Sequence, residues 1–251
     1  MAGHNKWSKV KHRKAVVDKR KGKALSMCSR LIISAVRKGG PDPNFNHALR
    51  TALDEAKYHN VPNENIDRAI KKGAGAGQGD NYEHVRYEGY GPGGVAVVVD
   101  ALTDNRTRTA ANVRNIFEDY AGKLGTSGCV AHQFEFKGRI EIKAPAKDED
   151  RVIEAALNAG ADDVKLIDEQ EGVFEVLCAP ASLHAMKQAL TAGKFTLGES
   201  GAEMIPTQTV TVTGEQAKGL LELVDAMEDD EDVSKVYTNA DIPESELAKM
   251  E

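Results

Sequence analysis

The sequence predicts an α+β protein of three domains: a small helical domain at the N-terminus and two α/β domains, one inserted into the other. Three observations predict it. Up to residue 73 apolar residues recur at helical spacing alone, and after the glycine-rich stretch Gly73–Gly79 strand spacing sets in, with helices alternating between the strands. A self-contained run reading βαββαβ then separates two fragments that together supply the strands and helices of one further sheet.

Residues 1–23, MAGHNKWSKVKHRKAVVDKRKGK, carry no apolar period and read as a flexible basic arm, or as a helix that orders on binding. From Ala24 the pattern changes. Cys28, Leu31, Ile32, Ala35 and Val36 share a helical face with it, and Gly39-Gly40-Pro41 ends the helix. Phe45, Ala48, Leu49, Ala52, Leu53 and Ala56 form a second stripe that stops before Val61-Pro62. Asn63 is the expected cap of a third helix bearing Ile66, Ala69 and Ile70, with Lys71-Lys72 at its negative end and Gly73 as its stop. The helical domain therefore spans 24–78.

Strands are expected at 82–88 and 94–102 around the turn Gly89–Gly94. A helix follows at 106–121, with Val113, Ile116, Phe117 and Tyr120 facing inward, and then a strand at 129–136. The run of strand 138–144, helix 148–159, strands 163–169 and 172–178, helix 180–192 and strand 195–204 has the order of the ferredoxin-like split unit. It defines an inserted domain, 137–205. Strand 207–213, helix 214–228 and strand 233–238 return to the first sheet, so the host α/β domain is 80–136 plus 206–240, also ferredoxin-like, and 241–251 is a tail.

The net charge of −6 hides an asymmetry. Residues 1–38 carry twelve Lys and Arg against Asp18 alone, a net of +11, whereas the remaining residues net −17. Such a split predicts a polyanion partner for the basic end. Within the first 23 residues, His4, Asn5, Lys6, Trp7, Lys9, Lys11, His12, Arg13, Lys14, Lys19, Arg20, Lys21 and Lys23 combine cations, an amide and one aromatic. Cations neutralise phosphates and release counterions, and an indole stacks on bases. The plain alternatives are a solvated tail for the lysines and packing onto the helical domain for Trp7. A second anion-binding candidate is the start of the 106–121 helix, with Asn105, Arg106 and Arg108 near its free N–H groups, capped by Thr103 or Asp104, and Arg114 further on.

Other chemistry finds no support. Gly89-x-Gly91-x-x-Gly94 matches a dinucleotide fingerprint as text, but it opens the strand-like Val95–Val99 where the fingerprint must open a helix. The seven histidines make no HxxxH, HExxH or HxH arrangement, Ser127 sits in no nucleophile elbow, and Cys28, Cys129 and Cys178 are too far apart for a zinc or disulfide framework. The acidic run Glu228–Asp232 lacks the pattern of a calcium loop and reads as a solvated turn. No apolar stretch approaches the 20 residues or so of a membrane span, and no secretory leader is evident. The expectation is a cytoplasmic protein that is not an enzyme, with no cofactor, no metal, no membrane and no small-molecule substrate.

MAGHNKWSKVKHRK at 1–14, GGPDP at 39–43, RAIKKG at 68–73, YEGYGPGGVA at 87–96, LTDN at 102–105 and VYTNAD at 236–241 together resemble the YebC family. Its members are described as "probable transcriptional regulators", and its mitochondrial relatives as translational activators. The resemblance runs nearly end to end and implies a helical N-terminal domain with two α/β domains, one interrupted by the other. Leu25-Ser26, Thr107, Ala121 and Cys129 depart from the family pattern, all outside the basic arm. The implied partner is nucleic acid: promoter DNA on the first description, ribosomal RNA and the ribosome on the second. The absence of a recognition-helix signal and a Trp-bearing basic arm tilt the residues toward RNA. Two other classes stand beside this reading, a nucleic-acid-modifying enzyme whose residues assemble only in space and a protein-interaction module whose arm binds an acidic partner.

Overall fold

The structure, a computed structural model, describes residues 14–75 and 81–248, with side chains from Gly22 onward except that of Glu244. It divides into two compact units, one running to Gln133 and resuming at Gln208, the other spanning Phe134–Thr207.

The first unit begins with α1 (Lys14–Gly39), α2 (His47–Tyr58) and α3 (Asn63–Ala74). Helix α1 starts well ahead of the apolar stripe, so residues 14–23 of the predicted arm are helical. Lys, Arg and Ala are strong helix formers and extend a helix that the core has already nucleated. Cys28, Ile32, Val36, Leu49, Ala52, Ala56, Ile66 and Ala69 form the helical core. Gly73 lets α3 approach α1 closely, since a Cβ there would lie 2.8 Å from Val36 Cβ.

Buried Asn46 joins two helix ends with one side chain. Its Oδ1 accepts from the Leu49 N–H at 3.0 Å, capping α2, and its Nδ2 donates to the carbonyls of Ala35 and Gly40 at 2.8 Å. A cap at Asn46 leaves Phe45 outside the helical period, and the residue is 86% exposed, contrary to the core position expected for it. The residue that would staple it, at the fourth helical position, is Arg50, whose guanidinium bonds the Pro43 and Asn44 carbonyls instead. The expected cap of α3 also shifts: Pro62 holds that position without a side-chain bond, and Asn63 is the first helical residue.

After the helices come β1 (Glu83–Tyr90), β2 (Ala96–Thr103), α4 (Arg106–Asp119) and β3 (Lys123–Leu124). The second unit contributes β4 (Phe134–Lys143), α5 (Glu149–Asn158), β5 (Asp163–Asp168), β6 (Val173–Cys178), α6 (Leu183–Ala192) and β7 (Thr196–Pro206). The first unit resumes with β8 (Val210–Thr211), α7 (Gly214–Asp229), β9 (Val233–Thr238), β10 (Ala240–Asp241) and α8 (Glu244–Leu247).

The first sheet has the order β3-β1-β2-β9, with antiparallel neighbours. Val95, Val97 and Val99 pack with Val113 and Phe117 of α4 and with Leu220, Leu223, Val224 and Met227 of α7. Ala96 and Val98 are buried too, which is why β2 reads as an unbroken apolar run. Pro92–Gly94 form a tight turn, with Gly93 and Gly94 at positive φ, and lead straight into β2 as a turn should.

Of the strand expected at 129–136 only Phe134–Phe136 is strand, as the start of a longer one. Residues 125–133 form a loop ending in a short helical turn, and β4 begins only at Phe134. The cause is Glu88, whose carboxylate takes the N–H groups of Gly128, Val130 and Ala131 at 2.8–3.0 Å and so removes them from any ladder. In the second unit the strand order is β5-β6-β4-β7, all antiparallel. Its limits are 134–207 rather than 137–205, because β4 pairs with β7 from Phe134 opposite Pro206 onward. Ile140, Ile142, Phe174, Val176 and Cys178 pack with Val152, Ala156, Met186 and Leu190. On the opposite face of β4, buried Arg139 bonds Glu175 and Glu141 at 2.5 and 2.8 Å, with Glu203 at 3.8 Å.

Candidate nucleic-acid interface

Of the predicted basic contacts, His4, Asn5, Lys6, Trp7, Lys9, Lys11, His12 and Arg13 lie outside the described residues. Lys14, Lys19, Arg20 and Lys21 follow the helical path of α1. Lys23 is the first whose side chain is described, and it serves a different purpose. Its Nζ donates to the Glu228 carbonyl at the end of α7. A cation there satisfies a helix's last carbonyls and complements its negative end. Burial pulls the Lys23 pKa down, with Asp230, Glu228 and Asp229 pulling the other way.

Arg30 lies two turns further along the same face of α1. Its Nη1 donates at 3.0 Å to both the Glu231 carbonyl and Asp232 Oδ1, and its guanidinium sits 5.7 Å from the centre of the Tyr82 ring. The acidic run read as a solvated turn is thus the surface on which α1 docks. Asp232 is buried, at 4% exposure.

Asp232 also gathers the second candidate site. Its Oδ2 accepts from Arg108 at 2.7 Å, Thr109 at 2.8 Å and Thr103 at 3.2 Å. Burial alone would raise its pKa, but Arg108 and the two hydroxyls overcome that and hold it below the ordinary carboxylate value. Arg108 donates to Asp104 as well, at 2.7 Å, so its guanidinium is held by two carboxylates and its pKa is raised. The cap of α4 is Asn105, whose Oδ1 accepts from the Arg108 N–H at 3.0 Å, while Thr103 Oγ1 accepts from the Asn105 N–H. Arg106 is exposed, 3.8 Å from Glu83, and Arg114 stands apart on the exposed side of the helix. A cavity of about 380 Å³ opens between Arg30, Tyr82, Arg108, Asn112 and the 230–232 turn. Four carboxylates and two guanidiniums line it, so it has no positive field for a phosphate. In this structure Lys23 is spent on the Glu228 carbonyl and Arg108, though half-exposed, on the carboxylates of Asp104 and Asp232.

A further constellation had no local signal in the sequence. Glu88 is 4% exposed and turns its carboxylate onto the loop 125–131. Burial opposes its ionisation, but the three N–H groups outweigh that and its pKa is lowered. The loop is fixed twice more, by the Gly125 N–H on the Glu88 carbonyl and by the Tyr90 hydroxyl, which donates to the Cys129 carbonyl at 3.1 Å. Residues Gly125–Gly128 are nonetheless exposed, as are Tyr90 and Lys123.

Among the described residues no group of three His, Cys, Asp or Glu side chains is placed to hold a metal ion, and no helix is long and apolar enough to cross a membrane. Cys28, Cys129 and Cys178 are free thiols.

The comparisons agree over nearly the whole chain. The family model described as "TACO1/YebC protein N-terminal domain" matches residues 5–76, and "TACO1/YebC second and third domain" matches 82–240. A "Probable transcriptional regulatory protein" of Sulfurihydrogenibium sp. is 47% identical over 100% of both chains, and one of Methylacidiphilum infernorum is 48% identical over 100% of both. The crystal structure of a conserved hypothetical protein of Aquifex aeolicus superposes with a TM-score of 0.81 at 45% identity, covering 93% of this chain and 96% of that one. With its helices, its interrupted first sheet and its end-to-end sequence match, the chain belongs to the TACO1/YebC family of probable transcriptional regulatory proteins.

Proposed function

We propose that this chain is a non-enzymatic regulator of gene expression that grips RNA through its basic N-terminal segment, with translation as the regulated step. The observation that carries the reading is the charge split, twelve cations against one acid in residues 1–38 of an otherwise acidic chain. Family membership supports a nucleic-acid-associated regulatory role, and the relatives' shared name, "Probable transcriptional regulatory protein", supports a role in gene expression.

One geometric feature favours RNA over the major groove of DNA. Helices α2 and α3 flank a four-residue connection, the spacing of a helix-turn-helix, in which the N-terminal residues of α3 would read base edges. The exposed residues there include Glu64 and Asp67, and Arg68 is turned back onto Glu64 at 3.2 Å. Carboxylates at that place repel phosphates. The separate helical core and the split between the two family matches support residues 24–78 as a domain of their own, and the strand order β5-β6-β4-β7 supports a ferredoxin-like reading of the inserted unit.

Crosslinking in cells, with sequencing of both bound RNA and bound DNA, tests the reading. Enrichment of ribosomal RNA is expected; promoter peaks without it would move the function to transcription, and recovery of neither nucleic acid would overturn it. In vitro, log Kd should change with log[salt] at a slope of several units, and Lys9, Lys11 and Arg13 replaced together by Gln should reduce that slope by about two to three.

A further inference from the structure

Tyr90 and Lys123 are directly opposed across the β1–β3 pair, so their side chains leave the sheet on the same face. Gly89, the residue before Tyr90 on β1, faces the other way, where a Cβ would meet the Phe117 ring at 2.9 Å. Tyr90 and Lys123 thus lie on the face away from the α4–α7 core. The Tyr90 side chain is held at both ends, by its backbone in β1 and by its hydroxyl on the Cys129 carbonyl, yet the residue as a whole is 39% exposed. Lys123 makes no ion pair among the described residues, whereas Arg30, Arg86, Arg108, Lys137 and Arg139 all do.

The loop beside them is built rather than loose. A buried carboxylate is committed to three of its N–H groups, and Gly125 packs closely on Cys129, whose Sγ would lie 2.5 Å from a Cβ there and would have to shift to admit one. What that effort presents to solvent is Gly125, Thr126, Ser127 and Gly128: small residues, two hydroxyls and an accessible backbone. A buried charge spent on organising an exposed polar loop returns little packing, and a fixed ring loses little entropy when something stacks on it.

We infer that Tyr90, Lys123 and the loop Gly125–Gly128 form a second contact for an unpaired nucleotide strand, with a base stacked on the Tyr90 ring, the adjoining phosphate on Lys123 and the sugar–phosphate chain against Thr126 and Ser127. The inference rests on the nucleic-acid reading above and extends it beyond the basic segment. Aromatic stacking tolerates any base, so this contact adds affinity for unpaired strands rather than sequence preference.

The test uses the full chain and two fluorescein-labelled 12-mers, U12 RNA and dT12 DNA. Tyr90→Ala should weaken U12 binding roughly 5- to 150-fold with the salt slope unchanged, and Tyr90→Phe, which keeps the ring, should retain most of the affinity. Lys123→Gln should lower the slope by about one, less on single strands than on duplex. A loss on U12 alone assigns the site to RNA, and equal losses on both oligonucleotides assign it to single strands of either sugar. Lys123 is exposed, so its variant folds whatever becomes of Tyr90→Ala, and thermal unfolding of each variant separates a lost ring from a lost fold. If the wild type binds neither oligonucleotide, the nucleic-acid reading itself fails. If the wild type binds, the arm variants weaken it, and Tyr90→Ala and Lys123→Gln match wild type, the second contact alone is wrong.

Discussion

Asp232→Asn isolates the charge that fastens α1 to the first sheet. In the native chain one buried carboxylate faces two guanidiniums, Arg30 at 3.0 Å and Arg108 at 2.7 Å, and two hydroxyls. An amide of the same shape must turn its NH₂ toward one of the guanidiniums. Breaking a buried ion pair costs about 3–5 kcal/mol, and the solvent access of Arg108, whose side chain is 48% exposed, trims that to about 2–4 kcal/mol. Hydrogen–deuterium exchange through a urea series, read by peptide, is the suitable assay because the chain has two units. Peptides covering 24–36 and 98–112 should exchange roughly 30- to 1,000-fold faster at about 1.4 kcal/mol per tenfold, while those covering 173–190 stay as in wild type. The pH arm has a fixed sign. The folded pKa of Asp232 lies below the ordinary value of about 3.9, so its stabilisation is complete above that value and is lost as pH falls through the lowered one. The gap between wild type and Asp232→Asn should therefore close on acidification from about pH 5 to below 3. Exchange less than about threefold faster, or a loss shared equally by both units, would refute the reasoning.

Three further outcomes follow from the same structure. Glu88→Gln should remove three charge-assisted bonds and speed exchange and limited proteolysis within 125–131; because the folded pKa of Glu88 is lowered, wild-type protection there should persist above about pH 4.3 and fall away below it. Phe45→Ser should change stability by less than about 0.5 kcal/mol, whereas Leu49→Ala, four residues on and fully buried, should cost about 2–5 kcal/mol in urea unfolding. Iodoacetamide should label Cys129 first and leave Cys28 intact until unfolding, since burial pushes the Cys28 thiol up to about 12; rapid native labelling of Cys28 would contradict its place in the helical core.

Most helices and strands were legible because their signals are local. The stripe through Cys28, Ile32, Ala35 and Val36 declares a face, and Val95–Val99 declares a strand buried on both sides. Phe45 was misread for an equally local reason: periodicity counts apolar residues but does not see that Asn46 spends its side chain on closing one helix and opening the next. The predicted strand at 129–136 loses its first five residues to a distant cause, a carboxylate some forty residues earlier that captures the Val130 and Ala131 N–H groups. The acidic run 228–232 showed its charge in the sequence but not its partners, because Lys23 and Arg30 meet it across some two hundred residues. The candidate site divides in the same way. The basic segment is a compositional signal and stands out on inspection, whereas Tyr90, Lys123 and the 125–128 loop become a constellation only when two strands pair.

Phe134 and Pro206 face one another across a single strand pair, so the chain leaves the first unit and comes back to it at nearly the same point. Paired antiparallel residues lie about 5 Å apart at their Cα atoms. Once the inserted unit has folded, the two halves of the host are therefore joined by something equivalent to a tight turn, although 74 residues intervene. Pairing Val97 with Thr238 then closes a loop about half as long as the sequence suggests, and loop closure is what makes distant strand pairing slow. The inserted unit acts in this sense as an assembly step for its host. It is also a natural graft point, where a hairpin turn or a foreign domain with adjacent termini can replace residues 134–207 without stretching the sheet on either side.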